Sequence, residues 1–559
     1  MSDELSELVA KIADKCRIFE PTNVETDDWA QVLELDACTV FRALEEPIRL
    51  ILVDSSAAQW DIARGDNWFN RLLLANLQLA PAIVLVLSVP STAARRAIAQ
   101  SNLGAGCPIC TADDLLSTQD IKDFLRRVIL PCASAVNLIP YKIHMHARRN
   151  MFFNRQHELQ KLHNHRGHSA IVGARRIGKT SLALRFKSSQ DDIDRSLGSL
   201  DLDGFKIGRC AYLDLGQSGS AISETIWGQI LRAMGLEPRR YKTFANKQRM
   251  AGANKIEYEL DEARAAEQIL GRLRQNLVII LDEIDGWISS RPRGKWRDMD
   301  RLRAMTERSG VRLILVGYEL LEMALGNDAF PFYGRVQTIH LRRFDHDSVN
   351  SLVIDPISEL GIEMEPRGQI LDRIWHETLG DPHLVQEICG HLVNRCIRER
   401  IQKVSMADLG EAIGLSQQVK LDRKAMRHPD FPLAEAIAGL TILGSGSRNS
   451  DEDSKVEKSI SRNEILRKLM DGGFSPDDWE LEMALTYLDL RSIIRPLDEG
   501  RMNWTWVSRV QRDNMSAHIG DRGVRGWLDD LIAQHQTGNW KRRYENVLGD
   551  SSESQNLRT

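Results

Sequence analysis

Gly173-Ala-Arg-Arg-Ile-Gly-Lys-Thr180 is the stretch from which the rest of the chain is read. It fits the pattern G-x-x-x-x-G-K-[ST], follows the apolar run Ser169-Ala-Ile-Val172 and opens a helical pattern at Ser181. Strand, glycine loop and helix in that order form a cradle for phosphate. The glycines let successive backbone N–H groups turn inward, and the helix N-terminus adds a favourable dipole field. Gly173, Ala174, Arg175, Arg176, Ile177, Gly178 and Ser181 are therefore expected to line a bound nucleotide. Lys179 is expected to neutralise its β- and γ-phosphates, and the Thr180 hydroxyl to ligate Mg²⁺.

Downstream, Leu277-Val-Ile-Ile-Leu-Asp-Glu-Ile-Asp285 reads as a buried strand ending in carboxylates. Asp282 stands where an acid holds Mg²⁺ through water. Glu283, projecting beside it, is placed to polarise an attacking water as general base. Asp285 reads as structural or helix-capping. These residues predict ATP hydrolysis, with ATP or ADP and Mg²⁺ as the bound groups and Lys179 and Glu283 in catalytic roles. A further apolar strand at 311–316 ends in Gly317-Tyr318-Glu319, where Tyr318 or Glu319 is placed to touch the γ-phosphate.

Around this centre the chain is long. Its 559 residues exceed what one core serves, which implies roughly three or four domains. Apolar residues make up 42% and charged ones 27%, as in ordinary globular proteins. With a net charge of −4 the chain is no polycation, so nucleic-acid contact would need a local basic patch. No apolar run reaches the roughly 18–20 residues that cross a bilayer, and the acidic N-terminus lacks the features of a signal peptide. Eight scattered cysteines suggest reduced thiols and a cytoplasmic location, and the single close pair, Cys107 and Cys110, reads as structural.

The fold class is α/β and multidomain. Residues 1–135 alternate strand patterns at 16–19, 49–53, 82–87 and 107–110 with helical ones at 29–44, 68–79, 92–100 and 118–129. That alternation predicts a small parallel sheet with helices on its faces. Residues 136–150 read as a linker, 151–345 as a second α/β region, 346–425 as a helical region, 426–515 as helices with a terminal hairpin, and 516–559 as a helix with a tail. The polar stretch at 444–455 reads as a mobile loop.

Over residues 150–515 the chain resembles the STAND/AAA+ group of P-loop ATPases, especially origin-recognition and NB-ARC types. Phe152-Phe-Asn-Arg-Gln-His-Glu-Leu159 resembles their F-x-G-R-x-x-E-L entry motif beside adenine, implying nucleotide contacts for Phe153 and Arg155. Asn154 replaces the commoner glycine. Gly173 to Leu182 resembles G-x-R-R-x-G-K-T-S-L closely. Phe332-Tyr-Gly-Arg-Val-Gln-Thr-Ile339 resembles the segment before the fifth core strand, which makes Arg335 the arginine reaching a neighbouring subunit's γ-phosphate; a surface arginine paired with a carboxylate is an equal reading. Gly380-Asp-Pro-His383 resembles the lid turn that closes over nucleotide, with Pro382 in the first turn of a helix. There His383 contacts phosphate, caps or packs.

Residues 430–515 resemble a winged helix, with helices at 433–443, 462–470 and 481–490 and strands at 493–497 and 502–507. The acidic character of 477–490 favours packing over entry into a DNA groove. The stretch from Arg291 to Arg308 carries seven Lys/Arg against three Asp/Glu. It is either a DNA- or RNA-contacting segment with Trp287 and Trp296 available for stacking, or a solvated helix with internal ion pairs. The N-terminal runs Ile48 to Ser56 and Ile83 to Ser88 resemble a receiver or flavodoxin-like domain, with Asp54 and Ser88 at strand ends. The paired acids after the first strand and a lysine after the last are missing, which points to a degenerate receiver-like domain for an unknown protein partner. The resemblance implies a switch that forms a homo-oligomer on binding ATP, in a bacterial defence or regulatory setting. Its alternative is an origin-recognition-like ATPase that binds nucleic acid.

Overall fold

The computed structural model describes residues 3–16, 30–35, 48–53, 82–88, 108–129, 140–141, 147, 151–197, 200–202, 205–207, 209–216, 226–234, 266, 277–289, 296–399, 401–416, 432–444, 459–490, 493–497, 502–506, 516, 519 and 523–537. The chain divides into two compact units. One comprises Met1–Phe153, Asp345–Trp375 and Leu384–Ser416; the other comprises Asn154–Phe344, His376–His383 and Gln417–Thr559. Among the described residues no helix is long and apolar enough to cross a membrane.

The first unit begins with α1 (Asp3–Cys16), β1 (Ala30–Leu35), β2 (Ile48–Val53), β3 (Ala82–Leu87), β4 (Ile109–Thr111), α2 (Ala112–Ser117) and α3 (Ile121–Ile129). The sheet order is β1-β2-β3-β4. β2, β3 and β4 run parallel, and β1 is antiparallel to β2. All six residues of β2 are buried, as suits a strand covered on both faces.

Two sequence expectations change here. The helix expected over 29–44 contains β1 instead, and Cys16, expected in a strand, ends α1. The chemistry of Arg49 accounts for β1. Its side chain is almost fully buried, and an ionised group there needs a partner. The register sets Glu34 directly opposite, and the two form an ion pair. The expectations at 17–19, 54, 68–79, 92–100 and 107, and most of the 136–150 linker, lie outside the described residues. Within that linker Tyr141 is buried, and its hydroxyl donates to the carbonyls of Leu352 at 3.1 Å and Val353 at 3.2 Å.

The second unit opens with α4 (Gln156–Asn164), β5 (His168–Gly173), α5 (Lys179–Leu197), the hairpin β6 (Leu200–Leu202) and β7 (Phe205–Ile207), then β8 (Cys210–Asp214) and α6 (Ile226–Ala233). β9 (Val278–Asp282), α7 (Ile284–Ser289), α8 (Arg297–Ser309), β10 (Arg312–Gly317), α9 (Glu319–Leu325) and β11 (Val336–Leu341) complete its sheet. Five parallel strands lie in the order β11-β5-β10-β9-β8. Parallel pairing brings every strand's C-terminal end to one edge, where α/β sheets bind ligands. Gly173, Asp282 and Gly317 end three of those strands, so the loop of 173–180, the carboxylates and Tyr318 share that edge.

The chain continues through α10 (His346–Glu359), β12 (Glu363–Met364), α11 (Arg367–Thr378), α12 (Pro382–Glu399), β13 (Lys403–Val404) and α13 (Met406–Leu415). It ends with α14 (Pro432–Gly444), β14 (Ile460–Ser461), α15 (Arg462–Asp471), α16 (Asp478–Leu490), β15 (Ile494–Pro496), β16 (Asn503–Trp506) and α17 (Val524–Gln536). The last three strands form an antiparallel sheet, order β14-β16-β15; β14, two residues long, has no sequence pattern of its own. One apolar core runs from Leu281 and Leu315 through Phe330 and Phe332 to Ile437, Leu485, Trp504 and Trp527. It joins the parallel sheet to the C-terminal helices, and α16 packs directly against α9.

Candidate nucleotide site

The loop after β5 has the backbone its glycines allow. Gly178 sits at φ 101° and Arg176 at φ 62°, a left-handed conformation that is uncommon for a residue with a Cβ. Gly173 has no room for a side chain, since a Cβ there would lie 2.7 Å from the Leu341 carbonyl oxygen of the neighbouring strand. Its absence lets β11 close against the start of the loop.

Lys179, the first residue of α5, is buried. Its ammonium donates to the carbonyls of Gly173 at 3.1 Å and Ala174 at 2.8 Å. Burial pulls its pKa down, and the charges of Glu283, Asp285 and Asp282 hold it up. Three carboxylates thus act on one lysine, the electrostatics expected where phosphate charge is to be exchanged for carboxylate charge.

Each of the three is held differently. Asp282 is 1% exposed. Its Oδ1 accepts from the Glu283 backbone N–H at 2.8 Å and its Oδ2 from the Tyr212 hydroxyl at 2.7 Å. Burial, then the Asp282 charge, pushes the Tyr212 pKa up, so the phenol stays a donor. Glu283, at φ 54°, projects outward, and burial raises its pKa against the opposing pull of Lys179. Asp285 accepts from the backbone N–H groups of Tyr318 at 2.6 Å, Leu320 at 2.7 Å and Leu321 at 3.4 Å. It therefore caps α9 from the first turn of α7, refining its reading as a capping residue.

Tyr318 comes to the same place. Its ring faces the Lys179 ammonium at 5.5 Å and the Arg175 guanidinium at 5.8 Å. Glu319 is buried in the first turn of α9. Arg155 braces the loop from below: its guanidinium donates to the carbonyls of Ile177 at 3.5 Å and Arg342, pairs with Glu158 at 3.1 Å and lies 4.7 Å over Phe344. These contacts brace the backbone of the loop that is expected to meet the nucleotide. Arg176 meets His383 at 2.7 Å, beside Pro382, which opens α12. Phe153 is buried at the end of the first unit.

Arg335 is not gathered with the loop. It is 52% exposed and pairs with Glu307 of α8 at 2.7 Å. Val336, next to it, is paired with His168 at the far end of β5 from Gly173. Five strand residues at about 3.3 Å each separate the two ends by roughly 17 Å. Of the basic stretch, 291–295 lie outside the described residues. Trp296, read as a stacking platform, is instead buried in the core and edge-on to Phe330 at 5.1 Å. Trp287 is partly buried against the same core.

For Mg²⁺ the chemistry fits: Thr180 supplies a hydroxyl and Asp282 two carboxylate oxygens, each with a lone pair left after its one hydrogen bond. Sequence reading missed Tyr212, whose only signal is an aromatic residue two positions before the end of a short strand.

Residues 162–325 match the family model of the AAA domain. Several solved structures resemble the chain at low identity. A Walker-type ATPase of Pyrococcus abyssi is 17% identical, covering 67% of this chain and 99% of its own, with a TM-score of 0.44. The ORC2 protein of Aeropyrum pernix, in its ADPNP–ADP complexes, is 14% identical over 68% of this chain and 95% of its own, with a TM-score of 0.42. A mutant RuvB of Thermotoga maritima is 12% identical over 65% and 95%, with a TM-score of 0.33. None of the curated proteins matches the chain. Residues 162–325, which carry the loop of 173–180, the carboxylates of 282–285 and Tyr318, are thus what the chain shares with the AAA domain.

Proposed function

We propose that the chain is an ATP-hydrolysing molecular switch whose nucleotide state governs self-association. The observation that carries this reading is the convergence of Lys179, Asp282 and Glu283 at one edge of a parallel sheet, beside a glycine loop and a helix N-terminus. Lys179 and the loop from Gly173 to Ser181 bind the phosphates, and the turn at Pro382 closes over the nucleotide. Thr180 and Asp282 hold Mg²⁺, which when bound offsets phosphate charge. Glu283 takes a proton from the attacking water. Arg335, remote from the loop of its own chain and exposed, serves the nucleotide of a neighbouring copy.

Residues 1–135 act as a receiver-like module for a protein partner, joined by the 136–150 linker to the ATPase core at 151–345. A lid at 346–425, a winged helix at 426–515 and a terminal helix and tail at 516–559 follow. The order α14, β14, α15, α16, β15, β16 supports the winged-helix reading. The acidic α16, packed against α9, supports a role in holding the core rather than in reading DNA.

The test is hydrolysis and assembly in the purified full chain. Wild type is expected to turn over ATP with Mg²⁺, and Glu283→Gln to bind ATP, lose turnover by roughly 10²–10⁴-fold and accumulate oligomers under mass photometry. A chain that binds no nucleotide, or stays monomeric in the trapped ATP state, overturns the reading.

A further inference from the structure

We infer that Tyr212 is a positioning residue that locks the carboxylate of Asp282 and so sets the site's preference for Mg²⁺ over Ca²⁺. The inference rests on Asp282 being the metal-holding acid of the function proposed above.

Tyr212 lies on β8 opposite Ile280, and Asp214 lies opposite Asp282. The phenol therefore reaches diagonally, two residues along the neighbouring strand, a span that aromatic side chains cover in sheets. Its hydroxyl ends 2.7 Å from Asp282 Oδ2. A carboxylate can only accept, so the phenol donates. The other oxygen, Oδ1, is taken by the Glu283 N–H at 2.8 Å. With one donor on each oxygen, the carboxylate plane is pinned. At 1% exposure, little bulk water competes for either bond.

A pinned carboxylate discriminates between hard cations. Mg²⁺ demands near-ideal octahedral geometry and keeps several waters, so it is served by a fixed oxygen that needs no movement. Ca²⁺ takes more ligands in looser geometry and often takes both oxygens of one carboxylate. Turning Asp282 to offer both oxygens would break the Tyr212 bond. The phenol therefore supports the first ion and resists the second, as partners of metal-binding groups commonly do.

The experiment follows binding of a fluorescent ATP analogue to the full chain while Mg²⁺ or Ca²⁺ is titrated, so its readout is affinity rather than turnover. Tyr212→Phe keeps the ring and removes only the hydroxyl. It is expected to raise the Mg²⁺ needed for half-maximal binding roughly ten-fold and to change the Ca²⁺ requirement much less, with an unchanged unfolding midpoint. An unchanged Mg²⁺-to-Ca²⁺ ratio in Tyr212→Phe, with wild type metal-dependent, overturns this inference alone. Metal-independent binding in wild type removes the role of Asp282 and overturns both.

Discussion

A guanidinium nitrogen of Arg176, in the phosphate loop, lies 2.7 Å from Nε2 of His383, which follows Pro382 at the start of α12. A guanidinium only donates, so Nε2 accepts and the imidazole is neutral with its proton on Nδ1. The turn that presents His383 is itself fixed. Asp381 Oδ1 accepts from the His383 N–H at 2.9 Å, and the Gly380 carbonyl accepts from Phe344 N–H at 2.9 Å. The contact thus anchors a loop residue whose left-handed backbone is costly by itself.

His383→Leu removes that acceptor at similar volume. A hydrogen bond to a charged group contributes about 1.5–3 kcal/mol. ADP affinity, measured by fluorescence titration, is expected to fall roughly ten-fold as Arg176 and the loop loosen. Unchanged affinity would show that the loop holds its shape without His383.

Glu283 gives the expected pH dependence. Burial raises its pKa, and the charges of Asp282 and Asp285 add to that effect against Lys179 and Arg175. A general base acts only when ionised, so activity is lost as pH falls through this raised value. The acid limb of kcat/KM, which reports the free enzyme, is expected above the ordinary glutamate range. Glu283→Gln should abolish that limb together with turnover. An acid limb at the value of a solvent-exposed glutamate would remove Glu283 from the role of base.

The contiguous parts of this site were legible in the sequence, and the contacts that fix them were not. Gly173 to Thr180 and Asp282-Glu283 are read from adjacent residues because one loop and one strand end do their work. Tyr212 and Asp282 stand 70 residues apart, and Arg176 and His383 stand 207 apart, so only tertiary structure pairs them. The apolar residues of β1 fit either period, and the burial of Arg49 that calls for Glu34 opposite it is invisible in one dimension. Trp296 shows the same limit. Basic neighbours suggest a nucleic-acid platform, whereas Trp296, at the N-cap of α8, is buried in the core.

Asp285 carries a different expectation. Its carboxylate satisfies three N–H groups at the start of α9, and Gly317 leaves it room, since a Cβ there would lie 2.6 Å from Oδ2. Asp285→Ala is expected to cost about 2 kcal/mol, the upper range for loss of a helix cap. Asp285→Asn, which keeps one acceptor oxygen, should cost less. Urea unfolding of the full chain followed by circular dichroism checks the order, and equal effects of Ala and Asn would argue against the cap.

α17 is seated on α14 by a close fit at Gly439. A Cβ at Gly439 would fall 2.1 Å from the Trp527 ring, and Trp527 Nε1 donates to Glu435 at 3.4 Å. Overpacking of this kind typically costs about 1–3 kcal/mol. Gly439→Ala is expected to lift α17 and make 523–537 sensitive to limited proteolysis. Ser461→Ala, which removes the cap of α15 instead, should leave that segment protected.

Arg335 separates a role within one chain from a role between copies. Its pair with Glu307 is roughly half exposed on both sides, so it contributes less than about 1 kcal/mol to stability. Arg335→Ala is therefore expected to leave the unfolding midpoint unchanged. If the guanidinium serves a neighbour's γ-phosphate, the variant should lose turnover roughly 10³-fold or more while still binding ATP. Mixing then decides the matter. Lys179→Ala subunits cannot hydrolyse but still present Arg335, so adding them to Arg335→Ala subunits should restore activity in proportion to mixed contacts. No restoration, with assembly intact, would mean that Arg335 acts only through its bond to Glu307.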